Sequence, residues 1–338
     1  MRPREAFIAV TYRCNAKCSF CNIWKRTDAA EIDPSHYAKL PKTIRTVNIT
    51  GGEPFLRDDL VEVIKVVHER IPSSRIVFSS NGLLTDVIVG RLVEIRKFHR
   101  RVGLGVSIDG MSETHDKLRG VPGIFDQAVK TVRSVKAAGI TDLRIAMTLS
   151  PQNVHEVKQV FGLSRELGVE FSTTYVHNSE IYFGKTTNVA PRFDESSSKA
   201  LEQVIQSLLH SRSVKDWFRA YHAEGILDAS VRREFRGMCS AGSRYFFMAP
   251  NGDVFPCNVM DSLIGNITEV ASFDELLADG KMQKVTSAVR NCTNDCWMVC
   301  NTRSLIIAHP FKASRWILRA KFLPHRQSDH KLVSRPAR

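Results

Sequence analysis

The chain has 338 residues, of which 43% are apolar and 25% charged, so it can bury one large core and a smaller module. No apolar run reaches the roughly 20 residues needed to cross a bilayer, which argues against a membrane-spanning protein. The formal charge is +13, but residues 303–338 hold nine Lys or Arg against Asp329 alone. The rest of the chain is only mildly basic, so its charge says little about the substrate.

The N-terminal segment does not have the pattern of a signal peptide, because charged residues flank the short apolar run 7–10 on both sides. We therefore expect a cytoplasmic protein with reduced cysteines.

Six short apolar or β-branched runs alternate with amphipathic segments along residues 5–176. Apolar residues in the intervening segments recur at spacings of three and four, which is typical of helices. Such alternation predicts parallel βα units. The predicted strands are Glu5–Thr11, Arg45–Thr50, Arg75–Ser79, Val102–Ile108, Leu143–Leu149 and Val169–Val176, and the predicted helices are Leu60–Arg70, Leu84–Phe98, Gly123–Ala138 and Val154–Leu167.

The most informative motif is the spacing CxxxCxxC formed by Cys14, Cys18 and Cys21, directly after the first predicted strand. Three thiolates can hold three irons of a four-iron cluster, which leaves the fourth iron open to a ligand that is not protein. Zinc is one alternative, but it normally takes four ligands in paired groups, and His36 lies well beyond the loop. Disulfides are the other alternative, and a reduced compartment disfavours them.

This motif, with Phe20 before the third cysteine, resembles the cluster motif of the radical S-adenosylmethionine (SAM) enzymes. The resemblance implies an α/β fold with a partial (βα)6 TIM-like barrel, and a 4Fe-4S cluster whose open iron binds SAM. It also implies reductive cleavage of SAM to a 5'-deoxyadenosyl radical, which takes a hydrogen atom from the substrate. A flavodoxin- or ferredoxin-type protein would donate the electron.

The ends of the next three strands extend the resemblance, since the chemistry of such barrels collects at the C-terminal ends of the strands. The turn 50–54 is similar to the family's GGE motif, which holds the amino group of SAM. The run 107–110 with Arg119 is similar to a stretch in which a serine meets the ribose and an arginine meets the SAM carboxylate. Ordinary turns and helix caps are the alternative. The predicted cofactor-binding residues are Phe20, Gly51, Gly52, Glu53, Pro54, Ser79, Asn81, Ser107, Asp109 and Arg119.

Tyr175 and His177 follow the sixth predicted strand, where a substrate would lie. We predict a general acid or base among them. A histidine that is merely solvated on a loop is the alternative.

A second set of cysteines begins with Cys239 and a GxxxxC run that ends at Cys257, and continues with Cys292, Cys296 and Cys300. Thiolates from these segments would complete a fully ligated iron–sulfur cluster or a zinc site. The arrangement resembles the auxiliary-cluster domain SPASM and its shortened form, twitch. Full SPASM domains use seven cysteines for two clusters, so five imply one auxiliary 4Fe-4S cluster. One of the last three thiols is then spare, and a spare thiol such as Cys292 would donate a hydrogen atom or proton to the substrate, or be inert.

We predict four regions: a barrel over residues 1–200, a helical bridge over 201–235, an auxiliary-cluster domain over 236–302 and a basic amphipathic tail over 303–338. A helical stripe in the tail predicts either a docked helix or peripheral contact with an anionic membrane. Nucleic acid is disfavoured because a recognised binding module is missing. The stripe consists of Ala313, Trp316, Ile317, Ala320 and Leu323.

We expect a small-molecule, sugar or lipid-linked substrate, because the barrel begins within the first residues and leaves no room for a module that binds a leader peptide. Modification of a peptide recruited by another protein is the alternative. A non-catalytic metal-binding or nucleic-acid-binding protein is an alternative of another class.

Overall fold

A computed structural model describes residues 3–26, 30–189, 192–232, 239–278, 281–292 and 296–322. Its strands are β1 (Glu5–Thr11), β2 (Thr46–Gly51), β3 (Arg75–Ser80), β4 (Val102–Ser107), β5 (Asp142–Leu149), β6 (Glu170–Tyr175), β7 (Tyr245–Met248), β8 (Asp253–Phe255) and β9 (Gly265–Asn266). Its α-helices are α1 (Leu60–Arg70), α2 (Thr85–Phe98), α3 (Ser112–Arg119), α4 (Ile124–Ala137), α5 (Val157–Glu166), α6 (Glu195–His210), α7 (Val214–Leu227), α8 (Phe273–Leu276), α9 (Lys281–Arg290), α10 (Val299–Ala308) and α11 (Pro310–Phe322).

Strands β1 to β6 are parallel neighbours in chain order and form an open, partial TIM-like barrel. Each begins and ends within one residue of its predicted bounds. Helices connect most of them, as parallel pairing requires. The α/β fold predicted from the alternation is confirmed.

The auxiliary segment joins the same sheet on the other side of β1. Strand β7 pairs parallel with β1, where Glu5 lies opposite Tyr245 and Ile8 opposite Met248. Strands β8 and β9 then continue the sheet in antiparallel order. The hairpin turn at 250–253 was predictable from its Pro-Asn-Gly-Asp sequence, whereas its attachment to β1 was not.

The two faces of the barrel strands differ in composition because side chains alternate along a strand. The face toward the helices carries fully buried aliphatic residues, such as Ile8, Ile49 and Ile145. The inner face of β5 and β6 is only half-buried and carries polar, charged or small residues. Closed TIM barrels fill this space with bulky branched side chains, so the inner face here is suited to a ligand. These inner residues are Asp142, Arg144, Ala146, Thr148, Glu170, Ser172 and Thr174.

Helices α7 and α10 bridge the gap between the edge strand β6 and strand β1. His222 of α7 hydrogen-bonds both the Thr173 carbonyl (3.0 Å) and the Thr302 hydroxyl (2.9 Å). Arg303 of α10 pairs with Glu5, the first residue of β1. The C-terminal part of the chain therefore closes the barrel that the N-terminal part leaves open.

The predicted tail helix exists as α11, and its predicted stripe is the docked face. Ala313 and Ile317 are buried, and the Trp316 ring packs edge-on against Tyr221 of α7 at 5.5 Å. The predicted stripe residue Leu323 lies outside the described residues. None of the helices in the described ranges is long and apolar enough to span a bilayer.

Candidate active site

The cysteine loop follows β1 and brings its three thiols together at the C-terminal end of the barrel. Cys18 and Cys21 are buried and Cys14 is half-buried. The loop is held by α3, since the amides of Lys17 and Ser19 donate to the last carbonyls of that helix at 2.9 and 2.8 Å. Two elements far apart in sequence therefore fix where the thiols point.

Burial raises the pKa of all three thiols, to about 11 for Cys14 and about 12 for Cys21. Cys18 further raises the pKa of Cys14, and both of these thiols raise that of Cys21, as expected for thiols that lie close together. A bound metal is what stabilises such thiolates, so the donor set fits a metal cluster. Among the described residues, no three His, Cys, Asp or Glu side chains lie close enough together to bind one metal ion.

The two glycines at the end of β2 leave the space that the backbone of the cysteine loop occupies. The Gly52 amide donates to the Thr11 carbonyl (2.8 Å), and the Glu53 amide donates to the Arg13 carbonyl (2.8 Å). A Cβ on Gly52 would lie 2.2 Å from the Arg13 carbonyl oxygen, and one on Gly51 would lie 2.1 Å from that of Thr11. The close backbone approach that these glycines permit is therefore to the chain itself, at the entry to the cysteine loop.

The Glu53 carboxylate joins the ends of β2 and β3. It is fully buried and accepts hydrogen bonds from the Ser80 hydroxyl (3.0 Å) and the Asn81 amide (2.8 Å). Burial outweighs these bonds and raises the pKa of Glu53 to about 7. Asn81 in turn donates to Asn15 in the cysteine loop (2.8 Å). Pro54 begins a short 3-10 turn and is buried behind this network.

Asp109 and Arg119 form a buried ion pair beside the cysteines. The Arg119 guanidinium lies 2.5 Å from the Asp109 carboxylate, and its Nη1 donates to the Cys18 sulfur at 3.7 Å. The same guanidinium lies 5.5 Å from the centre of the Phe20 ring. Asp109 also accepts from the Thr148 amide at 2.7 Å. These two predicted residues thus connect β4, α3 and β5 to the cysteine loop.

The two serines predicted to contact the cofactor lie at or near the C-terminal ends of their strands. Ser107 is half-buried at the end of β4, and Ser79 is exposed near the end of β3. Both lie at inner-face positions of the barrel by strand register, since Ser107 is opposite Ala146, and Gly105, which is opposite Ser79, pairs with Arg144. The pairing of β3 with β4 sets Ser79 opposite Gly105.

The loop after β6 covers the cysteine loop, which sequence reasoning missed. The Tyr182 hydroxyl bonds the Thr50 hydroxyl at 2.6 Å, next to the glycine pair. Lys185 donates to the Ser19 carbonyl at 2.5 Å, and Asn188 donates to that of Phe20 at 3.0 Å. The run Ile-Tyr-Phe at 181–183 was the only local signal, since aromatic residues in a polar loop imply burial.

The predicted general acid–base residues lie in this region but in dry surroundings. His177 packs edge-on against Phe183 at 4.9 Å, and burial lowers its pKa to about 4. The Tyr175 hydroxyl accepts from the Trp297 amide at 2.6 Å, which anchors the start of α10 to β6. At neutral pH His177 is therefore an uncharged imidazole, and the Tyr175 phenol has a structural partner.

The second set of cysteines gathers below β7, near the N-terminal end of β1. The Tyr245 hydroxyl lies 3.4 Å from the Cys239 sulfur, and the Met260 amide donates to the Cys257 sulfur at 3.3 Å. Burial raises the pKa of Cys257 to about 11 and of Cys296 to about 12, and neighbouring thiols add to both shifts. The thiols that influence one another are Cys239, Cys257, Cys292, Cys296 and Cys300.

Comparison with protein families decides the class of this site. A sequence model of the radical SAM superfamily matches residues 8–163, and one of the SPASM iron–sulfur cluster-binding domain matches residues 239–301. The chain belongs to the radical SAM superfamily. As a radical SAM enzyme with a C-terminal SPASM domain, it takes SAM and 4Fe-4S clusters as cofactors.

Relatives of this radical SAM enzyme have different substrates. It is 28% identical over 298 residues to the AdoMet-dependent heme synthase of Methanosarcina barkeri, covering 79% of this chain and 80% of the relative. It is 26% identical to the subtilosin biosynthesis protein AlbA of Bacillus subtilis, covering 78% of this chain and 57% of that protein. It is 27% identical to the mycofactocin maturase MftC of Mycolicibacterium smegmatis, covering 82% and 68%.

Solved radical SAM structures share the fold. The crystal structure of Streptococcus suis SuiB bound to S-adenosylmethionine matches with a TM-score of 0.64 at 19% identity, covering 86% of this chain and 68% of SuiB. The AdoMet-bound structure of anSMEcpe matches with a TM-score of 0.61 at 14% identity, covering 94% and 100%. The likeness supports the partial barrel with a C-terminal auxiliary domain.

Proposed function

We propose that this radical SAM enzyme cleaves SAM at a cluster held by Cys14, Cys18 and Cys21, and abstracts hydrogen from a small molecule inside the barrel. When bound, the cluster and SAM supply one-electron cleavage of the sulfonium to a 5'-deoxyadenosyl radical. The observation that carries the proposal is the grouping of three thiols, two of them buried and one half-buried, with Arg119 donating to the Cys18 sulfur. Oxidation or rearrangement in a biosynthetic pathway suits this chemistry.

Closure of the barrel favours a small substrate over an extended one. Trp297 and Arg303 fasten the α10 region to β6 and β1, while Tyr182 and Lys185 fasten the loop after β6 over the cysteines. Together these contacts cover part of the reacting region, and such cover suits radical chemistry, which needs limited access of water. A sugar, cofactor precursor or lipid-linked head group would fit the small, polar inner face.

The cofactor residues have distinct proposed roles. The turn around Gly51, Gly52 and Glu53 positions SAM at the cluster, Ser107 contacts its ribose and Arg119 its carboxylate. Ser79 of β3 and Asn81 just after it are proposed as further contacts to SAM.

One auxiliary 4Fe-4S cluster is proposed in the second domain, with Cys239 and Cys257 as ligands. Two of Cys292, Cys296 and Cys300 complete it, and the spare thiol serves as a donor to the substrate. The two cysteine sets lie at opposite ends of β1, which is roughly 20 Å long. That separation suits transfer of an electron away from the substrate in a net oxidation.

SAM cleavage tests the proposal. Reconstitution with iron and sulfide should give about eight irons per chain, four for each of two clusters. Dithionite and SAM should then yield 5'-deoxyadenosine. Cys18→Ala should retain about four irons and form no 5'-deoxyadenosine, whereas Cys257→Ala should lose the auxiliary cluster and still cleave SAM. Zinc in place of iron, or cleavage by the Cys18→Ala protein, would refute the assignment.

Peptide modification is the second candidate, because similarity to AlbA and MftC favours it. A structure of SuiB bound to its precursor peptide SuiA has the same fold, with a TM-score of 0.62. A mass change in a short peptide encoded beside the gene would support this candidate. A small molecule that accumulates or disappears when the gene is deleted, as measured by metabolite profiling, would support a small-molecule substrate instead.

Cytoplasmic location with peripheral membrane contact is proposed through the outer face of α11. Phe311, Leu318 and Phe322 are 88%, 57% and 70% exposed and recur at helical spacing. Arg315 and Arg319 flank them. Aromatic and basic residues on one helix face suit an anionic bilayer surface. The docked stripe cannot serve this role, since it packs on α7.

Binding to vesicles tests this surface. The full chain should sediment with phosphatidylglycerol–phosphatidylcholine vesicles and not with phosphatidylcholine alone. The double variant Phe311→Ser with Phe322→Ser should weaken binding at least about tenfold. Burying one Phe side chain in the membrane contributes roughly 1.5 kcal/mol or more to the binding free energy. Leu263→Ser removes another exposed apolar side chain outside α11 and should leave binding unchanged. Equal binding by all three proteins would exclude α11 as the contact.

A further inference from the structure

Arg144 occupies an unusual place inside the barrel. It lies on the half-buried inner face of β5, opposite Gly105 of β4 and Glu170 of β6. A Cβ on Gly105 would lie 3.1 Å from the Arg144 Nε and 3.4 Å from its Cζ. The glycine therefore leaves space for the guanidinium to lie across β4 toward the row of Ser79.

The acidic groups around Arg144 already have other partners. Asp142 accepts two hydrogen bonds from Arg75, at 2.5 and 2.6 Å. Glu170 is paired with Arg219 and with Lys215. The remaining acid of this region, Glu5, is paired with Arg303.

The Arg144 side chain makes no hydrogen bond and no ion pair with any residue that the structure describes. Burial, together with Arg75 and Arg303 nearby, lowers its pKa to about 10, so it stays charged at neutral pH. The side chain is only half-buried, so the guanidinium can be reached from the inner face of the barrel. A cation on this face, among small polar residues and without a partner among the described residues, can receive an anion that is not protein.

We infer that Arg144 binds a carboxylate or phosphate group of the substrate inside the barrel. This inference rests on the proposed function and specifies its substrate class. The paired residues Gly105 and Arg144 lie two residues, about 7 Å, closer to the N-terminal ends of their strands than the pair Ser107 and Ala146. A substrate anchored there by an anionic end would present a more distal carbon to the SAM end of the barrel. Arg144 thus selects and orients the substrate, and the guanidinium suits this role because it can bind either anion bidentately.

Thermal unfolding of the reconstituted protein with inorganic phosphate or acetate, against chloride at equal ionic strength, tests this site. One of the two anions should raise the Tm of the wild type, and the stronger of them identifies the phosphate or carboxylate chemistry. Arg144→Gln should abolish this shift and, in chloride, should unfold at the wild-type Tm or above, because the removed charge is repelled by Arg75 and Arg303 and has no ion pair with a described residue. Arg133→Gln removes an exposed arginine on α4 and should keep the anion shift.

Two results would overturn the inference. A lower Tm of Arg144→Gln in chloride would show a structural role, and an anion shift that is absent from the wild type or retained in Arg144→Gln would show that no site exists. The Arg144→Gln protein should still bind SAM with unchanged Kd and form 5'-deoxyadenosine with dithionite. Loss of SAM binding in this variant would assign Arg144 to SAM and refute the inference, whereas loss of cleavage in the wild type would refute the proposed function instead.

Discussion

Replacing Asp109 with asparagine is expected to lower the free energy of unfolding by about 3–5 kcal/mol, because it leaves the buried Arg119 guanidinium without its counter-charge. Arg119→Met should destabilise the protein for the same reason, by stranding the Asp109 carboxylate. The double variant, Asp109→Asn with Arg119→Met, contains neither charge. It should therefore be more stable than the sum of the single changes predicts, with a coupling of about 0.5–3 kcal/mol. Denaturant unfolding of the four proteins under anaerobic conditions measures this coupling.

The same double variant separates a structural role of Arg119 from a role in binding SAM. If Arg119 meets the SAM carboxylate, the double variant recovers stability but binds SAM about tenfold more weakly or worse, as expected for a charge-assisted hydrogen bond of about 1.5 kcal/mol or more. Unchanged SAM affinity would restrict Arg119 to positioning the Cys18 thiol. Additive losses of stability would show that the ion pair is not what holds β4 to α3.

Gly52→Ala is expected to prevent assembly of the SAM cluster. The new methyl group would lie 2.2 Å from the Arg13 carbonyl oxygen, which is backbone and cannot move away without displacing the cysteine loop. Overpacking of this kind costs about 1–3 kcal/mol. We expect the purified protein to lose about four irons per chain, the content of one cluster, with no detectable 5'-deoxyadenosine.

Gly90→Ala is the matched control, because a Cβ at Gly90 on helix α2 has no neighbour within 4 Å. It should retain full iron content and raise stability by about 0.5–1 kcal/mol, since alanine has the better helix propensity. If Gly52→Ala and Gly90→Ala had equal iron content, the packing of the glycine turn against the cysteine loop would not be what positions the thiols.

Much of this fold could be predicted because its signals are local. Hydrophobic periods of two and of three to four residues depend only on neighbours in sequence, and they placed all six barrel strands within one residue. The cysteine spacings could also be used for prediction, because thiols that are close in sequence can share one metal cluster.

The contacts that position the site could not be predicted, because they depend on strand register and on elements distant in sequence. The ion pair of Glu5 with Arg303 joins residues 298 apart, and the cover that Tyr182 makes over Thr50 joins residues 132 apart. The α11 stripe shows the same limit. Its period predicted a helix with an apolar face, but only the packing on α7 shows that this face is docked and that Phe311 lies outside.

The sequence by itself determined the alternation of strands and helices, the two sets of cysteines and the resemblance to radical SAM enzymes, since each is carried by residues close together in the chain. The tertiary structure decided what those residues touch. It set the glycine pair against the cysteine loop backbone, closed the barrel with α10 and left the Arg144 side chain without a partner among the described residues. These contacts join elements that are distant in the chain, and for Arg144 a shift of strand register by one residue would turn the side chain to the other face of the sheet.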